Sequence, residues 1–153
     1  MDMEIGRRES EFKNPMDIAA VDGYLRDAVP ARPARPLVLV VPHAGFVFSG
    51  QIAADAFRQT AGQGVDTVII LGANHTTAGF DRAAVYDGPS WETPLGRVAV
   101  DRTVAQAIVD AKVGAVFDTE VHAREHSIEV HVPFIQVLHP RAAIVPIVIG
   151  TPD

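Results

Sequence analysis

Three apolar runs constrain the fold of this chain most strongly: Leu37–Val41, Thr67–Leu71 and Ala142–Ile149. Nearly continuous branched apolar residues over such short lengths are typical of strands that are buried on both faces of a parallel sheet. Between the first two runs, apolar residues recur at helical spacing and would form one face of a helix: Ile52, Ala53, Ala56 and Phe57. The order strand, helix, strand predicts an α/β fold with a mainly parallel sheet and helices on both faces.

Shorter patterns predict the remaining elements. We expect further strands at Asp81–Tyr86, Val98–Val100 and Val113–Phe117, and a last helix over about residues 127–138. Helix caps are expected at Ser49 and Asp101. An N-terminal helix should begin at Asn14 and Pro15, with an apolar face formed by Ile18, Val21, Leu25 and Val29. Residues 1–36 then form a helix and a proline-rich connector, and residues 37–153 form the α/β domain.

Composition excludes several classes of function. A net charge of −6 without a cluster of Lys or Arg argues against a nucleic-acid-binding surface. No cysteine is present, so these residues cannot supply a thiolate metal site, a disulfide or a cysteine nucleophile. Residues 1–14 lack the apolar core of a signal peptide, and no apolar run is long enough to cross a bilayer. We therefore expect a cytoplasmic protein that does not associate with membranes.

Two histidines directly follow the first two apolar runs: His43 lies in Pro-His-Ala-Gly and His75 in Gly-Ala-Asn-His. Ligands of open α/β sheets bind beyond the carboxyl ends of the strands. Two imidazoles delivered there from different strands can share a metal ion, and imidazole suits iron and copper. The alternative interpretation is that both are polar loop residues, hydrogen-bonded to the backbone. The pairing of the two positions favours a metal site at His43 and His75.

A second set of polar residues lies in the segment Glu125–Phe134 and includes the catalytic candidates His126, Glu129 and His131. In a helix, His126 and Glu129 would share a face. In a strand, Glu129 and His131 would share a side. Either pair could carry out acid–base chemistry or orient a metal ligand. The alternative interpretation is that these residues form the polar start of a helix and their charged side chains are simply solvated.

A familiar zinc signature also overlaps this region. The stretch His122–His126 matches H-x-x-E-H, in which both histidines bind zinc. We reject this interpretation because the residues downstream offer no third ligand at a recognisable spacing.

Four segments together resemble the Memo family, whose bacterial and archaeal members are called AmmeMemoRadiSam system protein B. They are Pro42–Phe46, Leu71–Thr76, Trp91–Gly96 and Glu125–Phe134. The resemblance implies a fold similar to class III extradiol dioxygenases. It matches His43 and His75 with metal ligands and places His126 where those dioxygenases carry a histidine near the substrate.

The resemblance also implies that the domain is truncated at its C-terminus. Family members are considerably longer, and their later part brings another active-site histidine and a cysteine as the third ligand. Glu129 or a partner chain could complete the site here.

These observations predict a Memo-like protein with an iron or copper site and redox or oxygen chemistry. The alternatives are an extradiol-type ring-cleaving dioxygenase and a non-catalytic module that binds a peptide or small molecule. AMMECR-type and radical SAM proteins are the neighbours that the resemblance implies. Self-association is expected because an unpaired strand at Ala142–Ile149 would expose an apolar edge.

Overall fold

A four-stranded mixed sheet with helices on both faces forms the body of the protein. The coordinates are a computed structural model that describes residues 18–151. The helices are α1 (Ile18–Asp27), α2 (Phe46–Phe57), α3 (Arg102–Asp110) and α4 (Val132–Leu138). The strands are β1 (Thr67–Ala73), β2 (Ala83–Val85), β3 (Ser90–Thr93), β4 (Gly96–Ala99), β5 (Ala115–Phe117) and β6 (Ala143–Ile149). Short 3₁₀ turns follow α2 and precede α4 at Arg58–Thr60 and Glu120–His122.

The strand order of the sheet is β1-β6-β2-β5. Strand β6 pairs with β1 in parallel and with β2 in antiparallel orientation, and β2 pairs with β5 in parallel. Two of the three ladders are therefore parallel, as the apolar runs predict. Strands β3 and β4 form a separate antiparallel hairpin.

Each face of the sheet carries its own apolar core. On one face, Ile70 and Ile144 pack with residues from α1, α2 and α4. On the other face, Val145 and Ile147 pack against Ala105 of α3. The alternation of side chains along β6 supplies both cores, which explains why its run of apolar residues is uninterrupted.

Several predictions of local structure are confirmed. Asp101 caps α3 by accepting a hydrogen bond from the backbone N–H of Val104 at 3.0 Å. Strand β6 begins one residue later than expected, and β1 extends two residues further, to Ala73. The expected cap Asn14 and the expected first helical residue Pro15 lie outside the described residues.

The predicted strand Leu37–Val41 is wrong. This segment has irregular backbone, with Leu39 and Val41 packed against the core and Leu37, Val38 and Val40 exposed. Burial therefore alternates as in a strand, but no ladder of hydrogen bonds forms in the described part of the chain. Prolines at positions 36 and 42 bracket the segment and remove a backbone donor at each end.

Other predicted boundaries are also corrected. Helix α2 begins at Phe46 rather than after Ser49, because the Gly45 carbonyl already accepts the N–H groups of Phe48 and Ser49. Ile52 is exposed instead of facing the core. The last helix begins at Val132 rather than near residue 127, and turns precede it.

Strand β6 is not the exposed edge that we expected at Ala142–Ile149. It lies between β1 and β2, so its backbone pairs on both sides. The long strand at the edge is β1. Across residues 18–151, no helix is long and apolar enough to span a membrane.

Candidate metal centre

Three imidazole rings meet at the carboxyl end of β1. His43 lies in the loop before α2, His75 follows β1, and His126 lies in the loop before α4. The ring centroid of His75 is 5.1 Å from that of His43 and 5.0 Å from that of His126, and the third separation is 6.2 Å. The structure thus brings His43 and His75 together, as predicted, and adds His126.

The spacing of these rings is compatible with one shared ion. Metal–nitrogen bonds of about 2.1 Å place the ring centroids of imidazoles around one ion roughly 4.5 to 6 Å apart. The tightest set of donor atoms is formed by His75, Glu125 and His126, whose donor atoms all lie within 4.8 Å of one another. His43 is outside that set, so its side chain would have to move before it could bind the same ion.

A side-chain turn at Asn74 fixes the loop that carries His75. The Asn74 side-chain oxygen accepts the backbone N–H groups of Thr76 and Thr77, and its amide donates to the Thr77 carbonyl at 2.6 Å. The Asn74 backbone N–H donates to Ile149 at the end of β6. The loop is therefore anchored both to itself and to the sheet.

The loop that carries His43 is anchored to helices. The Ser49 hydroxyl donates to the Ala44 carbonyl at 2.9 Å, and the Tyr24 hydroxyl donates to the Phe46 carbonyl at 3.1 Å. Gly50 lies against the Tyr24 ring, where an added Cβ would approach ring atoms to 3.0 Å. Close packing of α1 and α2 therefore sets the position of this loop.

Glu125 is buried beside His75 and His126. One carboxylate oxygen, Oε1, is 2.9 Å from Nδ1 of His75 and accepts the backbone N–H groups of His126 and Ser127. The other, Oε2, accepts the backbone N–H of His75 at 2.6 Å. Burial alone would raise the pKa of Glu125, but these hydrogen bonds outweigh it and lower the pKa to about 2. Glu125 is therefore a fixed negative charge at neutral pH.

The segment that carries His126 is held against the end of β1. The Ser127 hydroxyl donates to the Ala73 carbonyl at 2.9 Å. An added Cβ at Gly72 would overlap the Ser127 hydroxyl and approach Ile128 to 2.6 Å. Glycine at this position thus permits the close approach that places Glu125 and His126 beside His75.

The pairings proposed for Glu129 do not follow from regular structure. Residues 127–131 form successive turns, so the backbone around Glu129 is neither the regular helix nor the strand that were considered. Glu129 is half-buried and is not among the donor atoms that come together with His75 and His126. Its catalytic role stays a prediction.

His131 is buried beside the Phe57 ring, with 5.8 Å between the ring centroids. Burial, and to a lesser extent the nearby His43, lower the pKa of His131 to about 4. Its Nδ1 atom is buried without a hydrogen-bond partner in the described part of the chain. The only ring contact that the structure gives for His131 among the described residues is the one with Phe57, and its catalytic role also stays a prediction.

The histidine that begins the H-x-x-E-H match lies in the core. His122 packs edge-to-face against Tyr86 and Trp91, and its Nε2 atom is 3.0 Å from the Ala84 carbonyl. Burial lowers the pKa of His122 to about 4, which keeps the ring neutral. Its contacts are those of a structural histidine.

Spacing in the sequence gave no sign that Glu125 contacts His75, since fifty residues separate them. An asparagine next to His75 is a recognisable turn signal that could have indicated the role of Asn74. The contact of Gly72 with Ile128 depends on tertiary packing, which no local pattern encodes.

The chain matches the family model described as Memo-like protein over residues 13–153. It is 44% identical over 115 residues to a MEMO1 family protein of Sulfurisphaera tokodaii, covering 74% of this chain and 40% of that one. A MEMO1 family protein of Desulfurococcus amylolyticus is 45% identical over 118 residues, covering 74% and 41%. One from Thermococcus onnurineus is 46% identical over 119 residues, covering 74% and 40%.

The chain spans about 40% of the length of these relatives. The match nevertheless includes all four segments that resemble the family, from Pro42 to Phe134. By this match, the chain belongs to the Memo-like protein family.

Proposed function

We propose that this protein binds an iron or copper ion through His43 and His75, with His126 as the third nitrogen donor. The observation that carries the proposal is the convergence of three imidazoles from three separate loops, with ring centroids 5.0 to 6.2 Å apart. Neutral imidazoles suit iron and copper as well as zinc.

Bound iron or copper would supply redox or oxygen chemistry at positions that the protein leaves open. The side chain of His75 is 39% exposed and that of His126 is 34% exposed, so a small molecule can approach the rings from solvent. The described residues around the cluster add only the one buried acid, Glu125. His126 also remains the candidate for moving a proton, as the resemblance to dioxygenases implies.

Activity and partners of the whole protein remain proposals, because the chain covers a minority of its relatives' length. From the resemblance alone we also propose a catechol-type or peptide ligand at the cluster, association with AMMECR-type or radical SAM proteins, and a cytoplasmic location. Ring cleavage and purely non-catalytic binding are the alternative functions.

Metal analysis tests the proposal directly. Protein purified anaerobically and loaded with ferrous iron or cupric copper should retain about one ion per chain after desalting. The double variant H43A/H75A should lose that ion, while H139Q should keep it, because His139 bonds to Thr60 outside the cluster. Equal retention by H43A/H75A and the parent protein would contradict the site.

A single variant separates the two roles of His126. If His126 is a ligand, H126A should weaken binding by at least tenfold. If it only moves protons, H126A should bind metal like the parent protein and lose any oxygen uptake with a catechol. Circular dichroism of each variant should match that of the parent protein, so that loss of metal reports on the site rather than on unfolding.

A further inference from the structure

The buried acid Glu125 contacts His75 at two points. Its Oε2 atom accepts the backbone N–H of His75 at 2.6 Å, and its Oε1 atom lies 2.9 Å from the ring nitrogen Nδ1. The residue is 2% exposed, so water does not compete for these contacts. One carboxylate thus holds both the backbone and the ring of the same histidine.

The other donors around Glu125 determine which atom carries the proton. Oε1 accepts the backbone N–H groups of His126 at 2.8 Å and of Ser127 at 3.0 Å. Since backbone N–H groups can only donate, both carboxylate oxygens are acceptors. The short contact between Oε1 and Nδ1 of His75 therefore requires a hydrogen on Nδ1.

We propose that Glu125 is a positioning residue that holds His75 in the tautomer with its proton on Nδ1. The lone pair of the neutral ring is then on Nε2, the nitrogen that points away from Glu125. The tautomer assignment stands on this geometry alone, and its consequence for metal binding rests on the proposed function. Carboxylates that orient metal-bound histidines in this way also increase the basicity of the ligand.

A competing role for Glu125 is direct coordination, since its oxygens lie within 4.8 Å of donor atoms of His75 and His126. Its hydrogen bonds argue against that role. Three backbone N–H groups and the His75 ring nitrogen already converge on the two oxygens, and an ion would have to compete with these donors. The carboxylate is therefore placed to act on the metal through His75.

Glutamine at position 125 is a sharp test because it keeps the shape and changes only one oxygen to an NH₂ group. Either orientation of the amide would set that NH₂ group against an N–H donor, because both oxygens of Glu125 accept. E125Q should therefore weaken the hold on the His75 ring. Glu120, an exposed acid in the same region, offers the matched control E120Q.

The first measurement is made on the metal-free parent protein, and the variant H75A serves only for assignment. Nitrogen-15 NMR of the histidine side chains distinguishes a proton on Nδ1 from one on Nε2, with the His75 signals assigned from H75A. We expect the Nδ1–H tautomer for His75. A neutral His75 with its proton on Nε2 would overturn the proposal whether or not the protein binds metal.

The second measurement compares affinities for ferrous iron under anaerobic conditions. We expect E125Q to bind about 10- to 100-fold more weakly, as is usual for the loss of an outer carboxylate, and E120Q to bind within about twofold of the parent protein. Unchanged affinity in folded E125Q would overturn the consequence for the metal. If the parent protein binds neither ferrous iron nor cupric copper, the proposed function fails, while the NMR result still decides the tautomer.

Discussion

The histidines of this chain differ mainly in how their rings are surrounded. Burial lowers the pKa of His122 and of His131 to about 4. In contrast, the side chains of His75 and His126 are more than one-third exposed. The first pair is therefore kept neutral by the fold, and the second pair lies where a ligand can reach it.

The buried pair predicts how stability depends on pH. Each ring has an ordinary pKa of 6.5 in the unfolded chain and about 4 in the folded one. The unfolded state therefore binds more protons, and stability falls as the pH drops from about 6.5 to 4. Each histidine can account for roughly 3 kcal/mol across that interval. The stabilisation from ionised Glu125 is fully present above its unfolded pKa of 4.5 and is lost only below it, so the histidines dominate the pH dependence above pH 4.5.

Urea unfolding of H122F at pH 7, 6 and 5 checks this prediction. Phenylalanine keeps an aromatic ring against Tyr86 and Trp91 but cannot titrate. We expect H122F to be less stable at pH 7, by about 1 to 3 kcal/mol for the lost hydrogen bond to Ala84. Near pH 5, H122F should take up fewer protons on unfolding than the parent protein does, by up to one proton per molecule. If the free energy of unfolding of H122F changed with pH as steeply as that of the parent protein, His122 would titrate normally in the folded state.

At the scale of elements, sequence patterns predicted best where one local signal determined the structure. Asp101 predicted the start of α3, and the branched run of β6 predicted a buried strand. The run at Leu37–Val41 has the same composition, but it forms no strand because a ladder needs a neighbour, which a local pattern cannot report. The composition of a run shows that it could form a strand, but only its tertiary neighbours determine whether it does.

In the candidate site, too, the features set by local sequence could be predicted and those set by tertiary contacts could not. His43 and His75 could be paired from the sequence because each follows an apolar run, although only the second run is a strand. Glu125 could not be paired with His75, since their contact depends on the turns at residues 127–131. Those turns were hidden by the ambiguity between a helix and a strand around Pro133.

Gly72 is the position where β1 and the Glu125 segment meet most closely. In G72A the new methyl group would collide with Ser127 and Ile128, so the loop or the strand would have to shift. We expect a loss of about 1 to 3 kcal/mol in the free energy of unfolding, as for other overpacked positions. Affinity for ferrous iron should also fall, because the shift moves His126 away from His75.

The control for this variant is G64A. Gly64 has no atom within 4 Å of an added Cβ, so alanine should be tolerated there. Chemical denaturation and iron titration of both variants provide the comparison. If G72A were as stable as G64A and bound iron equally well, the close approach at β1 would not position the site.

At the scale of the whole molecule, one part of the sheet is left uncovered. Ile69 and Leu71 are paired with Val145 and Ile147 of β6, so their side chains lie on the same face of the sheet as those two residues. Helix α3 covers that face at β6. Yet Ile69 is 50% exposed and Leu71 is 66% exposed. Within residues 18–151, β1 pairs only with β6, so its outer edge is open as well. The strand carries no charge and no proline that would discourage pairing with another chain.

We therefore propose that the chain self-associates through β1 rather than through β6. In an antiparallel pair of β1 strands centred on Ile70, Ile69 of each copy would lie opposite Leu71 of the other, on the uncovered face. Sedimentation velocity at increasing concentration should show a dimer. The variant L71K should shift the equilibrium towards monomer by at least tenfold, because its charge would be buried at the junction. V113K removes an equally exposed valine from the loop before β5, and it should dimerise like the parent protein. A monomer at every concentration, or a dimer indifferent to L71K, would show that this edge is not where the copies meet.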